Sequence, residues 1–305
     1  MSKCGAAAMQ LAGLLLGLKP GARLPRVRDM AVTLSCGNGT VQGALALLEE
    51  AGAIETQSRG RLGTFLISAR RDVLWEMSGM GHLAVAMPLP YSTRYEGLAT
   101  GLREAFEALG VPFSLYFMRG SSNRVAQVVE GRVDLAVTSG LSFTNLAKQQ
   151  PICAVVDLGP RTFVGAHGVV LASGLTLDNP HLRVAVDRNS ADQTMMVEAV
   201  FGRRPGVEFV DMSYAQLAKG FAAGTIDATV WNLDELNQHV TVPLTAIPIS
   251  EVPQAQPIPD SNTHAVLVGR LGSGRPPAAV LADINFDIVR RAIEDVIAGR
   301  RIPTY

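Results

Sequence analysis

The 305 residues carry 27 basic and 27 acidic side chains, 48% hydrophobic residues and 18% charged ones. At roughly 100 to 200 residues per domain this length predicts about two domains, and the composition excludes bulk disorder. A balanced charge gives no global attraction to nucleic acid, so any DNA contact must come from a local patch.

Near the start, Lys3 and the apolar run after it imitate a secretory leader, but the run passes through GLKPGARLP straight into another patterned segment. It therefore predicts a first core helix over about 9–18. Pro25 can open a second helix, with Val27, Met30, Ala31 and Leu34 at helical spacing, until Ser35 to Gly39 break the pattern. A third helix over about 40–51 buries Val41, Ala44, Leu45 and Leu48 and stops at Gly52. Two helices joined by a glycine-bearing turn make a helix-turn-helix pattern. AIETQ and GTFLI then flank SRGRLG, a hairpin with a basic tip. Arg23, Arg26, Arg28, Arg59 and Arg61 concentrate positive charge on this segment, against Asp29, Glu49 and Glu50, and can neutralise phosphates.

The order Gly21, Leu24, Pro25, Arg28, Thr40, Val41, Gly63, Thr64, Phe65 resembles the winged helix-turn-helix of GntR-type bacterial regulators. The resemblance implies a DNA-reading head over residues 1–75 that meets operator DNA through Arg26, Arg28, Asn38, Thr40, Gln42, Arg59, Gly60 and Arg61. Two departures stand out. Gly37 and Asn38 occupy the place of the family's usual Ser-Arg, and Arg26 that of a serine. The lost arginine removes a phosphate or guanine contact, while Asn38 can read adenine or a phosphate. One head covers one half-site, so a homodimer is expected.

After the glycine-rich residues 78–82 the chain repeats one plan. LAVAM, a helix over about 95–109, FSLYFM, a helix over about 122–130 and VDLAV are followed by LRVAV, a helix over about 192–201, VEFVDM, a helix over about 214–223 and IDATV. Each set predicts a parallel sheet with helices on its faces. The phrases GRVDLAVTS and GTIDATVWN close the two sets: Gly131 and Gly224 can end a helix with positive φ, and Asp134 and Asp227 can tie the turn backbone.

Ligands of open parallel sheets bind beyond the carboxyl ends of the strands. Those ends carry PLPYSTRYEG, RGSSN, TSGLS, DRNSADQ, MSYAQ and WNLDE, rich in hydroxyls, amides and aromatics. They predict one cleft holding Tyr91, Ser92, Arg94, Ser121, Ser122, Ser139, Asn189, Ser190, Asp192, Trp231 and Asn232. Ser121 or Ser122 and Ser190 stand at helix starts, where backbone N–H groups favour a carboxylate or phosphate. Arg94 and Arg119 can pair with the same anion, and Trp231 supplies an apolar wall.

This arrangement resembles the type 2 periplasmic-binding-protein fold, and together with the head it resembles the YhfZ group of bacterial regulators. The resemblance implies an α/β chain, an N-terminal winged helix-turn-helix plus a two-lobed domain over 82–305. Lobe one is expected over about 82–170 and 246–305, and lobe two over about 175–245. Residues 168–173 and PLTAIPIS are the candidate crossovers, and THAVLVGR with a long helix over about 277–299 completes lobe one.

His82, His167, His181, His239 and His264 show no metal-ligand spacing, and the chain lacks a nucleophile elbow, a phosphate-cradling loop with lysine and a Cys-x-x-Cys. No catalytic residue, metal or cofactor is expected. Cys4, Cys36 and Cys153 are odd in number and far apart, as reduced thiols would be, and no apolar run reaches the roughly 18 residues of a membrane span. The reading is a cytoplasmic, ligand-responsive transcription regulator. A solute-binding protein of a transporter and a cleft enzyme on the same fold are the alternatives.

Overall fold

The hydroxyl of Ser2 accepts a hydrogen bond from Gly5 N at 3.0 Å, and this cap starts helix α1 at Lys3. The helix runs Lys3–Leu15, earlier than the pattern over 9–18 predicted, because the alanine-rich turn before Met9 extends it. The computed structural model describes residues 2–236, 241–253, 255–273 and 278–305. In chain order come α2 (Val27–Thr33), α3 (Asn38–Glu50), β1 (Ile54–Ser58), β2 (Thr64–Ala69) and α4 (Arg71–Met77). Next are β3 (Leu83–Met87), α5 (Thr93–Glu107), β4 (Phe113–Phe117), α6 (Ser121–Val129), β5 (Leu135–Ser139), α7 (Gly140–Leu146) and β6 (Ile152–Asp157). The chain continues with β7 (His167–Ala172), β8 (Leu182–Val186), α8 (Ala191–Phe201), β9 (Val207–Asp211), α9 (Leu217–Ala222), β10 (Ala228–Asn232) and β11 (Leu244–Pro248). It ends with β12 (Ala265–Arg270), α10 (Ala278–Ala282) and α11 (Phe286–Ile297).

The chain divides into two compact units. The first gathers Met1–Leu83, Arg103–Ser114 and Ser273–Asn285. In it α1 packs on α3 and α4, burying Leu11, Leu15, Leu48 and Trp75. Helix α4, absent from the sequence reading, anchors this core: Trp75 is fully buried and its indole N–H donates to the Gly81 carbonyl at 2.6 Å. Asp283 forms ion pairs with Arg71 and Lys19, and Phe106 stacks on Phe113 with centroids 4.8 Å apart. The unit that holds the head therefore reaches beyond residues 1–75.

The second unit gathers Ala84–Leu102, Leu115–Gly272 and Phe286–Tyr305 and holds both sheets of the repeat. One sheet has the order β4-β3-β5-β12-β6, the other β11-β7-β10-β8-β9. Each keeps the expected parallel pairing of its repeated strands, β3 with β5 and β8 with β9 and β10. Neither sheet is purely parallel. β12 runs antiparallel to β5 and β6, and β7 runs antiparallel to β10 and β11. The expected crossovers are thus β7 and β11, full members of the second sheet, and residues 158–166, 249–253 and 255–264 lie on the passages between sheets. Val169 and Leu171, buried like Val184 and Val230, explain why β7 belongs there: its apolar residues need that sheet's core.

The two glycine phrases do the same work in both halves. Gly131 (φ 73°) and Gly224 (φ 62°) end α6 and α9 in the left-handed region expected of them. Beyond them Asp134 accepts from Ala84 N at 2.8 Å, and Asp227 accepts from Arg183 N at 2.9 Å. Each aspartate ties the start of its third strand to the start of the first, in matching register.

The expected long C-terminal helix is divided into α10 and α11 by a turn at Asp283–Ile284, and Pro277, its expected start, lies outside the described residues, as does His239. α5 and α11 meet backbone to backbone, since a Cβ on Gly101 would come within 2.6 Å of Val289 Cα.

Candidate functional site

In the head, the N-cap of α2 is Arg26 and that of α3 is Gly37, neither with a side-chain capping bond. The first turn of α3 therefore leaves backbone N–H groups available to a phosphate. Arg26, Arg28, Asn38 and Gln42 are exposed, Thr40 half-buried. Asn38 and Gln42 are four residues apart and share one face of α3, while Thr40 points elsewhere. Arg59, Gly60 and Arg61 lie exposed at the wing tip, where the Arg59 guanidinium sits 4.7 Å from the Phe65 ring centroid. Arg28 pairs with Asp29 at 3.2 Å on the surface, an interaction that water and salt weaken.

In the second unit a cavity of about 410 Å³ opens at the carboxyl ends of β3, β4, β8, β9 and β10. All six of the polar segments read from the sequence reach it. Tyr91, Ser121, Asn189, Ser190, Asp192 and Asn232 line its wall. The helices α6 and α8 both begin at this wall, and neither has a side-chain capping bond.

The other expected residues do not line it. Ser92 caps the start of α5, its hydroxyl accepting from Tyr95 N at 3.3 Å. Arg94 donates to both oxygens of Asp234 and to the Arg161 carbonyl. Ser122 faces solvent on the outer side of α6. Ser139 caps α7, accepting from Ser142 N at 2.9 Å, and donates to Asp192 behind the wall. Trp231 is 3% exposed and packs in the core between Phe221, stacked at 6.3 Å, and Tyr214. Side chains alternate along a strand, so once Val230 and Asn232 face the cavity Trp231 must face away.

The sequence reading missed a buried charge of the site. Arg124, one turn into α6, lines the cavity and is 4% exposed. Its Nε donates to the Val137 carbonyl at 2.8 Å and its Nη1 to the Met118 carbonyl at 3.0 Å. Among the described residues Nη2 has no hydrogen-bond partner and Arg124 makes no ion pair, yet Nη2 is not sealed from the cavity. Burial draws its pKa down to about 10, so it stays charged at neutral pH. Its helical spacing among apolar neighbours concealed it: a core-facing arginine looks like a surface one until the carbonyls that hold it are known.

His167 and Asn232 stand opposite one another on β7 and β10 and both line the wall. Part of the His167 ring meets the cavity, but its Nδ1 is sealed and among the described residues has no partner, and burial lowers its pKa to about 4. The imidazole is neutral at pH 7. Asp192 receives hydrogen bonds from Ser139 and, at 2.6 Å, from Ser142; the surrounding protein excludes bulk water and raises its pKa. Gln193 holds the turn after β8 by accepting from Asp187 N and donating to Thr229. Tyr95 and Tyr214 complete the wall as neutral phenols, pushed well above their ordinary range by burial and then by Glu235.

Among the described residues no helix is long and apolar enough to cross a membrane and no cluster could hold a metal ion. The profile of the YhfZ C-terminal domain matches residues 71–305, and that of a helix-turn-helix domain matches residues 19–66. An uncharacterized protein YhfZ of Escherichia coli K12 is 33% identical over all of this chain and 98% of its own length. The crystal structure of YhfZ from Shigella flexneri superposes on 77% of this chain and 97% of its own, with a TM-score of 0.61 and 32% identity. The periplasmic aliphatic sulphonate binding protein SsuA of Escherichia coli superposes on 72% of this chain and 75% of its own, with a TM-score of 0.54. At 13% identity that likeness shows the fold alone: the α/β part resembles the type 2 periplasmic-binding-protein fold.

Proposed function

This chain belongs to the YhfZ family, and from that membership and its helix-turn-helix domain we propose that it is a transcription regulator whose cavity senses a small anionic metabolite. The observation that carries the ligand reading is Arg124, a buried guanidinium with Nη2 left over in a cavity wall. Burying a cation is costly unless something compensates it, and two carbonyl acceptors compensate only in part. An acid group on the ligand completes the set, with the open first turns of α6 and α8 as further donors. Arg94, Ser122 and Trp231 take no part, whereas Arg124, Ser121, Asn189 and Ser190 do.

In this reading the protein acts in the cytoplasm as a homodimer, its GntR-like heads set on paired half-sites of an operator. The ligand works by binding one arrangement of the two lobes better than another, because only a difference in affinity can shift the balance. The protein is a sensor rather than an enzyme. The test is selection of bound DNA from a random-sequence pool, followed by binding of the selected DNA with and without a ligand found by thermal shift. Enrichment of one sequence class and an affinity that changes with ligand support the proposal. No enrichment, or an affinity indifferent to ligand, overturns it.

A further inference from the structure

Opposite charges face the same cavity without meeting. Arg124 makes no ion pair among the described residues, and neither does Asp192, whose two oxygens are held by serine hydroxyls. The two are near enough to influence each other's protonation. The rest of the wall adds the guanidinium of Arg119 and the carboxylate of Asp187, which accepts from Asn189 N and Tyr214 N. His167 is neutral at pH 7 and adds no charge to these. A ligand carrying only negative charge would gain Arg124 but bring no cation to Asp192 and Asp187 in the same wall, in a site where low dielectric strengthens every such term.

Resting on the cavity reading above, we infer that the ligand is a small zwitterion, its acid group on Arg124 and the open start of α6 and its ammonium group on Asp192. The carboxylate is fit for that partner. Ser139 and Ser142 each occupy one of its oxygens, and each oxygen keeps a further acceptor position. Ser142 Oγ also stands 3.0 Å from Ser121 Oγ, and this chain of hydroxyls fixes the carboxylate on the side of the cavity nearest the α6 start. Tyr91, Tyr95, Phe163 and Tyr214 supply aromatic faces and edges around the same space, an environment that tolerates an ammonium group through ring electrostatics. The volume of about 410 Å³ suits a compound of amino-acid size.

The experiment is calorimetric titration of the full-length protein with matched pairs that differ only in the amine. Suitable probes are the α-amino acids, β-alanine and aminomethylphosphonate, beside propionate, the other des-amino acids and methylphosphonate. The expected result is that at least one amine-bearing probe binds about tenfold or more tighter than its des-amino partner. Asp192→Asn should bring that ratio toward one, and Arg124→Met should abolish binding of both members. A merely structural Asp192 would lower stability without moving the ratio. Des-amino acids that bind as tightly as their partners, and lose binding in Arg124→Met, overturn the zwitterion and leave the anion-sensing cavity standing. An absence of binding across both classes overturns both.

Discussion

Arg94 and Asp234 form a two-pronged ion pair, Nε to Oδ2 at 2.7 Å and Nη2 to Oδ1 at 3.3 Å, which joins the start of α5 to the turn after β10. Arg161 and Gly165, on the passage between the sheets, add a carbonyl to the arginine and an N–H to the aspartate. With side chains 14% and 20% exposed the pair is only partly screened. A urea double-mutant cycle with Arg94→Met and Asp234→Asn should show a coupling of about 1 to 3 kcal/mol. Additive effects would make the pair energetically idle.

Trp231 and Asn232 are adjacent and should fail differently. Trp231→Ala empties a packed core between Phe221 and Tyr214 and should cost about 3 to 5 kcal/mol of stability. Asn232 is 2% exposed, accepts from Asp234 N at 3.0 Å and donates to Glu235 at 3.1 Å. Asn232→Ala should therefore cost about 1 to 3 kcal/mol by removing both hydrogen bonds from a buried site. Chemical denaturation of the two variants checks both. Equal, small losses would contradict the packing assigned to the tryptophan.

His167 makes stability depend on pH with a definite sign. Its folded pKa of about 4 lies below the ordinary 6.5, so between those values the unfolded chain binds a proton that the folded chain refuses. The contribution is fully present above about pH 6.5 and is lost as pH falls toward 4, by at most about 1.4 kcal/mol per unit. His167→Gln should flatten that part of the curve. If wild type and variant show parallel stability profiles between pH 4 and 6.5, the burial of this imidazole is wrong.

The exposed arginines of the head should act through phosphates. Arg28→Ala and Arg61→Ala should each weaken DNA binding and lower the salt slope by about one unit per lost phosphate contact. Fluorescence anisotropy over a range of salt reads both quantities. An unchanged slope would place these side chains outside the interface.

The sequence by itself determined the repeat, because two strand-helix-strand-helix-strand sets leave a periodic record in single residues. It determined the functions of Gly131 and Gly224, since a positive φ excludes most side chains, and it located the polar segments, since parallel strands all end on one edge. The head was legible for the same local reasons, in the spacing of Val41, Ala44 and Leu48 and the basic tip of the wing.

Only the tertiary structure decided which polar groups were free. Arg94, Ser92 and Ser139 look no different from Arg124 and Ser121 along the chain, yet the first three are spent on Asp234, on Tyr95 and on Ser142 and Asp192. For Arg94 and Ser139 the deciding partners stand 140 and 53 residues away, and local pattern carries no trace of them. The antiparallel strands β7, β11 and β12 were settled in the same way, by which core their apolar faces could enter. Periodicity states that a face is buried; it does not state against what.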